Sequence, residues 1–215
     1  MKIQKVVILF FTVLLLVSCN NKKDIYKTCE LPGDHYSESQ YAELMNTWLD
    51  CLISERIKEK SKQDLYEDIK GNYIGGAFVG IDGKLSDSFL SYKALEKILS
   101  NKELLENINS KDPGIRYYSF LAITGRRVDN AFNVLKSILN DTTRVQTHFG
   151  CIYDNETIAD LCINIVTKRY SPAYEDYVGN NYQLTIPEKE ELDSIIINSN
   201  LELRYRDFLI EQQVN

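Results

Sequence analysis

The sequence predicts a predominantly helical protein, and three observations carry that expectation. Apolar residues recur at three- and four-residue spacing along most of the chain, which lines them up on one face of successive helices. Cap residues stand before these runs, twice with a reciprocal partner three positions on: Ser37 with Gln40 and Ser100 with Glu103. One stretch, from Gly71 to Gly83, carries enough glycine to break the pattern and is expected to form a loop or a short β-hairpin.

In chain order, Ser37 opens the clearest helix. Tyr41, Leu44, Met45, Trp48, Leu49, Leu52, Ile53 and Ile57 make its buried face, and it is expected to continue in some form through Leu65, Tyr66 and Ile69 to Gly71. Ser86 caps a helix bearing Phe89, Leu90, Leu95, Ile98 and Leu99; Ser100 caps another bearing Leu104, Leu105 and Ile108. Asp112-Pro113 starts a helix with Arg116, Tyr117, Phe120, Leu121 and Ile123. After a turn at Thr124-Gly125 comes a partner with Ala131, Phe132, Val134, Leu135, Ile138 and Leu139. Asp141 and Arg144-Val145 then restart the pattern, although Thr147, Phe149 and Gly150 also suit an extended strand. Asn155 is the expected cap of a helix with Ile158, Leu161, Cys162, Ile165 and Val166. A loop with Tyr170, Tyr174, Tyr177 and Tyr182 follows. Pro187 begins a helix with Leu192, Ile195 and Ile196, and Leu201, Tyr205, Phe208 and Leu209 complete the last one.

The Asp112-Pro113 start, Arg116 in the first helix and the paired apolar faces resemble the short bacterial type of HEAT-like repeat over roughly residues 100–168. That resemblance implies an all-α domain of the irregular helical-repeat, α-solenoid type, spanning residues 37–215 as a single body with at most a short β-hairpin. It also implies a surface for binding another protein.

The N-terminus has a different character. Lys2 and Lys5 precede an apolar stretch from Val6 to Val17, which ends in Leu16-Val17-Ser18-Cys19. As a helix that stretch covers about 18 Å, short of the ~30 Å hydrocarbon core, so residues 1–18 read as a cleaved export signal. The four residues before and at Cys19 resemble a bacterial lipobox, which implies that Cys19 becomes lipidated and anchors the chain to a membrane. Residues 19–36 form the anchor and a polar tether beginning Asn20-Asn21-Lys22-Lys23. Asn20 does not resemble the Asp that retains some lipoproteins at an inner membrane, so the expected location is the cell envelope at the outer membrane.

Composition sets limits on function. The formal net charge is −6, and losing Lys2 and Lys5 with the leader makes it more acidic, which argues against nucleic acid and favours a basic partner. Five cysteines are present. Setting Cys19 aside, Cys29, Cys51, Cys151 and Cys162 have about three possible pairings in an oxidising compartment. Neighbours in sequence, Cys29 with Cys51 and Cys151 with Cys162, are the expected pairs; the alternative is that Cys51 and Cys162 are buried apolar residues on helices.

Chemistry is sparse. With two histidines, His35 and His148, a three-histidine zinc site is excluded by count. His148 and Cys151, with Asp154, Asp160 or Cys162, make the one metal candidate, and a loop histidine beside an oxidised cysteine outweighs it, so no metal or cofactor is expected. Neither a nucleophile elbow nor a phosphate loop is present, since Gly83-Lys84 precedes Leu85 and lacks the required upstream glycine. Glu156 and Asp160 are spaced to share a helix face, Arg126-Arg127 offer an anion contact, and the tyrosine loop offers rings for stacking; a solvated surface explains the first two as well, and packing beneath a long loop explains the tyrosines. The leading expectation is therefore a non-catalytic, lipid-anchored protein-binding or scaffold module. The alternatives are an immunity-type lipoprotein neutralising a basic toxin, and an envelope hydrolase working through His148, Asp154, Glu156 and Asp160.

Overall fold

The computed structural model describes residues 28–29, 38–71, 73–79, 84–168 and 182–214. The leader, Cys19 and the tether apart from residues 28–29, His35, Ser37, and Tyr170, Tyr174 and Tyr177 lie outside the described residues. Two compact units are distinguished, Met1–Glu55 and Arg56–Asn215. The division falls inside the first helix described, α1 (Glu38–Glu59). Along α1 the expected spacing is visible: Trp48, Leu52 and Ile53 are buried, while Asn46, Thr47 and Asp50 are exposed. Within the same unit a disulfide joins Cys29 to Cys51 across a Cα separation of 5.9 Å.

The second unit begins with a break that the apolar pattern concealed. The helical pattern does not run through to Ile69, because Ser61 stops α1 and caps a new helix, α2 (Lys62–Ile69), in a capping box with Asp64. The serine turns the chain because its side chain offers the Asp64 amide an alternative acceptor. Strands β1 (Tyr73–Val79) and β2 (Lys84–Leu85) follow, then α3 (Asp87–Ile98), α4 (Asn101–Asn107), α5 (Pro113–Gly125) and α6 (Ala131–Ile138). Strands β3 (Arg144–Gly150) and β4 (Ile152–Thr157) lead into α7 (Ile158–Thr167), α8 (Ile186–Ile197) and α9 (Arg204–Val214).

Helix dominates, as the periodicity requires, yet the molecule is not all-α. Four strands form a mixed sheet in the order β2-β1-β3-β4, with β1 parallel to β3 and the outer pairs antiparallel. Parallel pairing needs a long crossover, here the chain from β2 through α6. The stretch after Asp141 is a β-hairpin rather than a second helix pair, since Val145, Thr147 and Glu156 are buried while Arg144, Gln146 and Asn155 are exposed, a period of two. Because the hairpin runs on through Asn155, the helix cap shifts to Thr157, whose hydroxyl accepts from the Asp160 amide at 3.1 Å.

Helices α5 and α7 fill the core of this unit. Every residue of α5 from Pro113 to Thr124 except Arg116 is buried, and so is every residue of α7 from Ile158 to Val166. The Tyr118 hydroxyl reaches β1, accepting from the Gly75 amide at 3.2 Å and donating to the Gly75 carbonyl at 3.1 Å. The β1–β3 pairing becomes irregular immediately after Gly75, where backbone groups have found that side-chain partner instead.

Candidate functional site on the mixed sheet

His148, Cys151, Asp154 and Glu156 lie on one hairpin, and its register decides which of them share a face. In β3 and β4, Val145 faces Glu156, Thr147 faces Asp154, and His148 faces Tyr153. Opposed residues share a face and neighbours alternate, so Asp154 and Glu156 stand on the face of Thr147, and His148 stands on the other. The proposed acid–base set of His148, Asp154 and Glu156 is therefore split by the sheet. Glu156 and Asp160 share no helix face either, because Glu156 belongs to β4 and Asp160 to the first turn of α7.

The carboxylates on the inner face are engaged. Arg204, at the start of α9, donates to both oxygens of Asp154, at 2.5 and 3.0 Å, and lies 3.9 Å from buried Glu156. That guanidinium holds the Asp154 carboxyl below the usual carboxylate range. Asn164 on α7 donates to Glu156 at 3.3 Å. Asp160 accepts from the Thr157 hydroxyl at 2.9 Å and from the Tyr205 amide at 3.3 Å. These bonds clamp the hairpin to α7 and α9, which is a structural task.

Cysteines divide between the two states. Cys151 sits exposed in the tight β3–β4 turn, and Cys162 is fully buried on α7; both are free thiols, so the expected Cys151–Cys162 pair is not formed. The reason is the helical face: Cys162 lies among buried Leu161 and Ile163, and burial pushes its thiol well above the ordinary value. Among the described residues no group of metal-ligating side chains comes together. Arg126 donates to the Asn101 side chain at 2.9 Å, and Arg127 turns the chain at φ 52°, so no paired anion site arises there. Tyr182, the one tyrosine of its loop among the described residues, is half-buried, and burial raises its phenol.

The outer sheet face carries what the sequence search passed over. The His148 ring stacks on Tyr153 at 3.7 Å between centroids and 20° between planes, and its Nδ1 is hydrogen-bonded to the Tyr73 hydroxyl at 2.5 Å. His148 is 4% exposed, but Tyr153 is 70% exposed and Tyr73 38%. Beside them Tyr73, Gln146 and Asn155 fall in one row across β1, β3 and β4, and all three are exposed. The available signal was a β-branched or aromatic residue at every second position, Val145, Thr147 and Phe149, and it requires reading the segment with period two.

No family model matches the chain. No curated protein matches it. Among solved structures, a chain of the Snu23-Prp38-MFAP1(217-258) complex of Chaetomium thermophilum is similar over 75% of this chain and 90% of that one, at 14% identity and a TM-score of 0.49. So loose a likeness assigns neither fold nor partner.

On the hairpin, Asp154 and Glu156 are engaged in the clamp, His148 is buried, and Gln146, Ile152, Tyr153 and Asn155 are exposed. No helix among the described residues is long and apolar enough to cross a membrane.

Proposed function

We propose that this chain is a non-catalytic cell-envelope lipoprotein, held on the membrane through Cys19, whose helical body docks another protein. One observation carries the docking: β4 is the outer strand of the sheet, and at its start Ile152 is 70% exposed. An edge strand with an exposed aliphatic residue is a surface that sheets ordinarily blunt, and its retention points to use. A basic partner suits the net charge of −6.

The test is crosslinking in intact cells, with captured proteins identified by mass spectrometry, for the natural chain, Ile152→Asp and Cys19→Ala. Docking at the hairpin predicts one abundant partner that Ile152→Asp loses while the protein level holds, and Cys19→Ala moves the chain to the soluble fraction. An identical capture profile for the natural chain and Ile152→Asp refutes the docking surface. Continued membrane residence of Cys19→Ala refutes the anchor.

A further inference from the structure

We infer that the outer face of the mixed sheet is a binding platform for a neutral saccharide chain, a role that goes beyond protein docking and uses different side chains. The argument begins with rigidity. Tyr153 stands out from the sheet with one ring face backed by His148, and His148 is in turn fixed by its hydrogen bond to Tyr73. A solvent-facing tyrosine is ordinarily free to change rotamer, and holding it in place before a ligand arrives lowers the entropy cost of binding. The pair thus offers a flat aromatic surface, held open to solvent.

The polar groups around it are uncharged donors and acceptors. Gln146 and Asn155 face each other across β3 and β4, next to the His148–Tyr153 pair, and both are exposed. Two side-chain amides supply paired donors and acceptors of the kind that vicinal hydroxyls or an acetamido group can match. Arg144, a cation on this face, reaches back to the Asn155 carbonyl at 3.4 Å. From Tyr73 to Asn155 the row spans two strand spacings, about 10 Å, so the ledge is elongated rather than a point contact.

The chemistry of the occupant follows. A pyranose ring has an apolar face of C–H bonds that packs on an aromatic ring, and a rim of hydroxyls that needs amides. A polyanion, the other extended ligand that stacks on aromatic residues, is disfavoured because the chain is acidic overall. A peptide strand would instead use the β4 edge, where Ile152 lies. Ile152 is opposed to Phe149, on the same face as Thr147 and away from Tyr153.

The experiment titrates the full-length protein, in a polyoxyethylene detergent that carries no sugar, with chitotetraose and with maltotetraose. Isothermal calorimetry and saturation-transfer NMR supply the readouts. At least one sugar is expected to bind with a Kd of about 1 mM or tighter. Tyr153→Ala should weaken it at least about tenfold, and Gln146→Ala with Asn155→Ala likewise, whereas Ile152→Ala, equally exposed on the other face, should leave it unchanged. Circular dichroism confirms that each variant is folded. Failure of both sugars to bind at ~10 mM overturns the proposal, as does equal weakening by Ile152→Ala, or binding of a heparin fragment in place of the neutral sugars. Ile152→Asp tests protein docking separately, so either reading can fail without the other.

Discussion

Arg116 grips Asp141 through two hydrogen bonds, Nε to Oδ2 at 2.6 Å and Nη2 to Oδ1 at 3.1 Å, and so ties the first turns of α5 to the segment that leaves α6 for β3. The same guanidinium donates to the Ser110 and Lys111 carbonyls and to the Thr143 hydroxyl, so all of its fork is used. Both side chains are largely buried. Removing one partner leaves the other charge stranded, and Arg116→Ala is expected to cost about 3 kcal/mol in urea unfolding. Arg116→Lys should recover only part of that loss, because an ammonium cannot reproduce the planar fork.

Gly114 sets how closely α5 approaches α2. A Cβ there would lie well inside van der Waals distance of the Ile69 carbonyl oxygen, and backbone cannot yield as a flexible side chain can. Gly114→Ala should destabilise by about 1–3 kcal/mol, despite the better helix propensity of alanine, and thermal denaturation would show it. Asp112 reinforces this junction, capping α5 at Ile115 and accepting from the Gly71 amide at 2.8 Å.

The thiols should separate cleanly in alkylation. In the folded protein iodoacetamide is expected to modify exposed Cys151 and to spare Cys162, whose buried, pKa-raised thiol supplies no thiolate near neutral pH. Cys162 should label once the protein is unfolded, and Cys29 and Cys51 only after reduction. Peptide mapping by mass spectrometry reads all of these positions, and labelling of Cys162 in the native state would contradict its placement on α7.

Acid should weaken the clamp between β4 and α9. The folded Asp154 carboxyl titrates below its unfolded value because of Arg204, so the contribution is complete above the unfolded carboxylate pKa of about 3.9 and fades as pH falls through the folded value. Glu103 behaves the same way, lowered to about 2 by Lys62 and by the Ser100 backbone amide and hydroxyl. The Asp154–Arg204 pair is partly exposed, so its worth is under about 1 kcal/mol. The stability difference between the natural chain and Arg204→Ala, from urea midpoints, should be constant from neutral pH to ~5 and shrink in more acidic buffer. A difference that grows with acidity would contradict the assignment.

The local chemistry of single elements was legible in the residues themselves. Ser100 with Glu103, Asp112 with Pro113 and Ser86 each mark a helix start because capping is a bond between neighbours a few positions apart. Of the positions that spacing marks, Phe89, Leu90, Leu95 and Leu99 are buried as expected, whereas Ile98 and Leu105 are 41% and 39% exposed, and α5 and α7 are buried nearly all round rather than on one face. Pairing was not legible. Tyr73 meets His148 only because β1 and β3 lie parallel across a long crossover, and no local rule announces a partner that far along the chain. The same holds for Arg204 with Asp154, which joins α9 to β4. His148, Asp154 and Glu156 are near neighbours in sequence, and that closeness suggested a shared site; the two-residue period of the strand sends them to opposite faces. Sequence by itself therefore determined that helix predominates, where most helices start and most of what they bury, but not the break at Ser61 or the hairpin after Asp141. Tertiary structure alone decided which side chains meet, because a sheet face is assembled from strands distant in the chain, and its register fixes which neighbours point the same way.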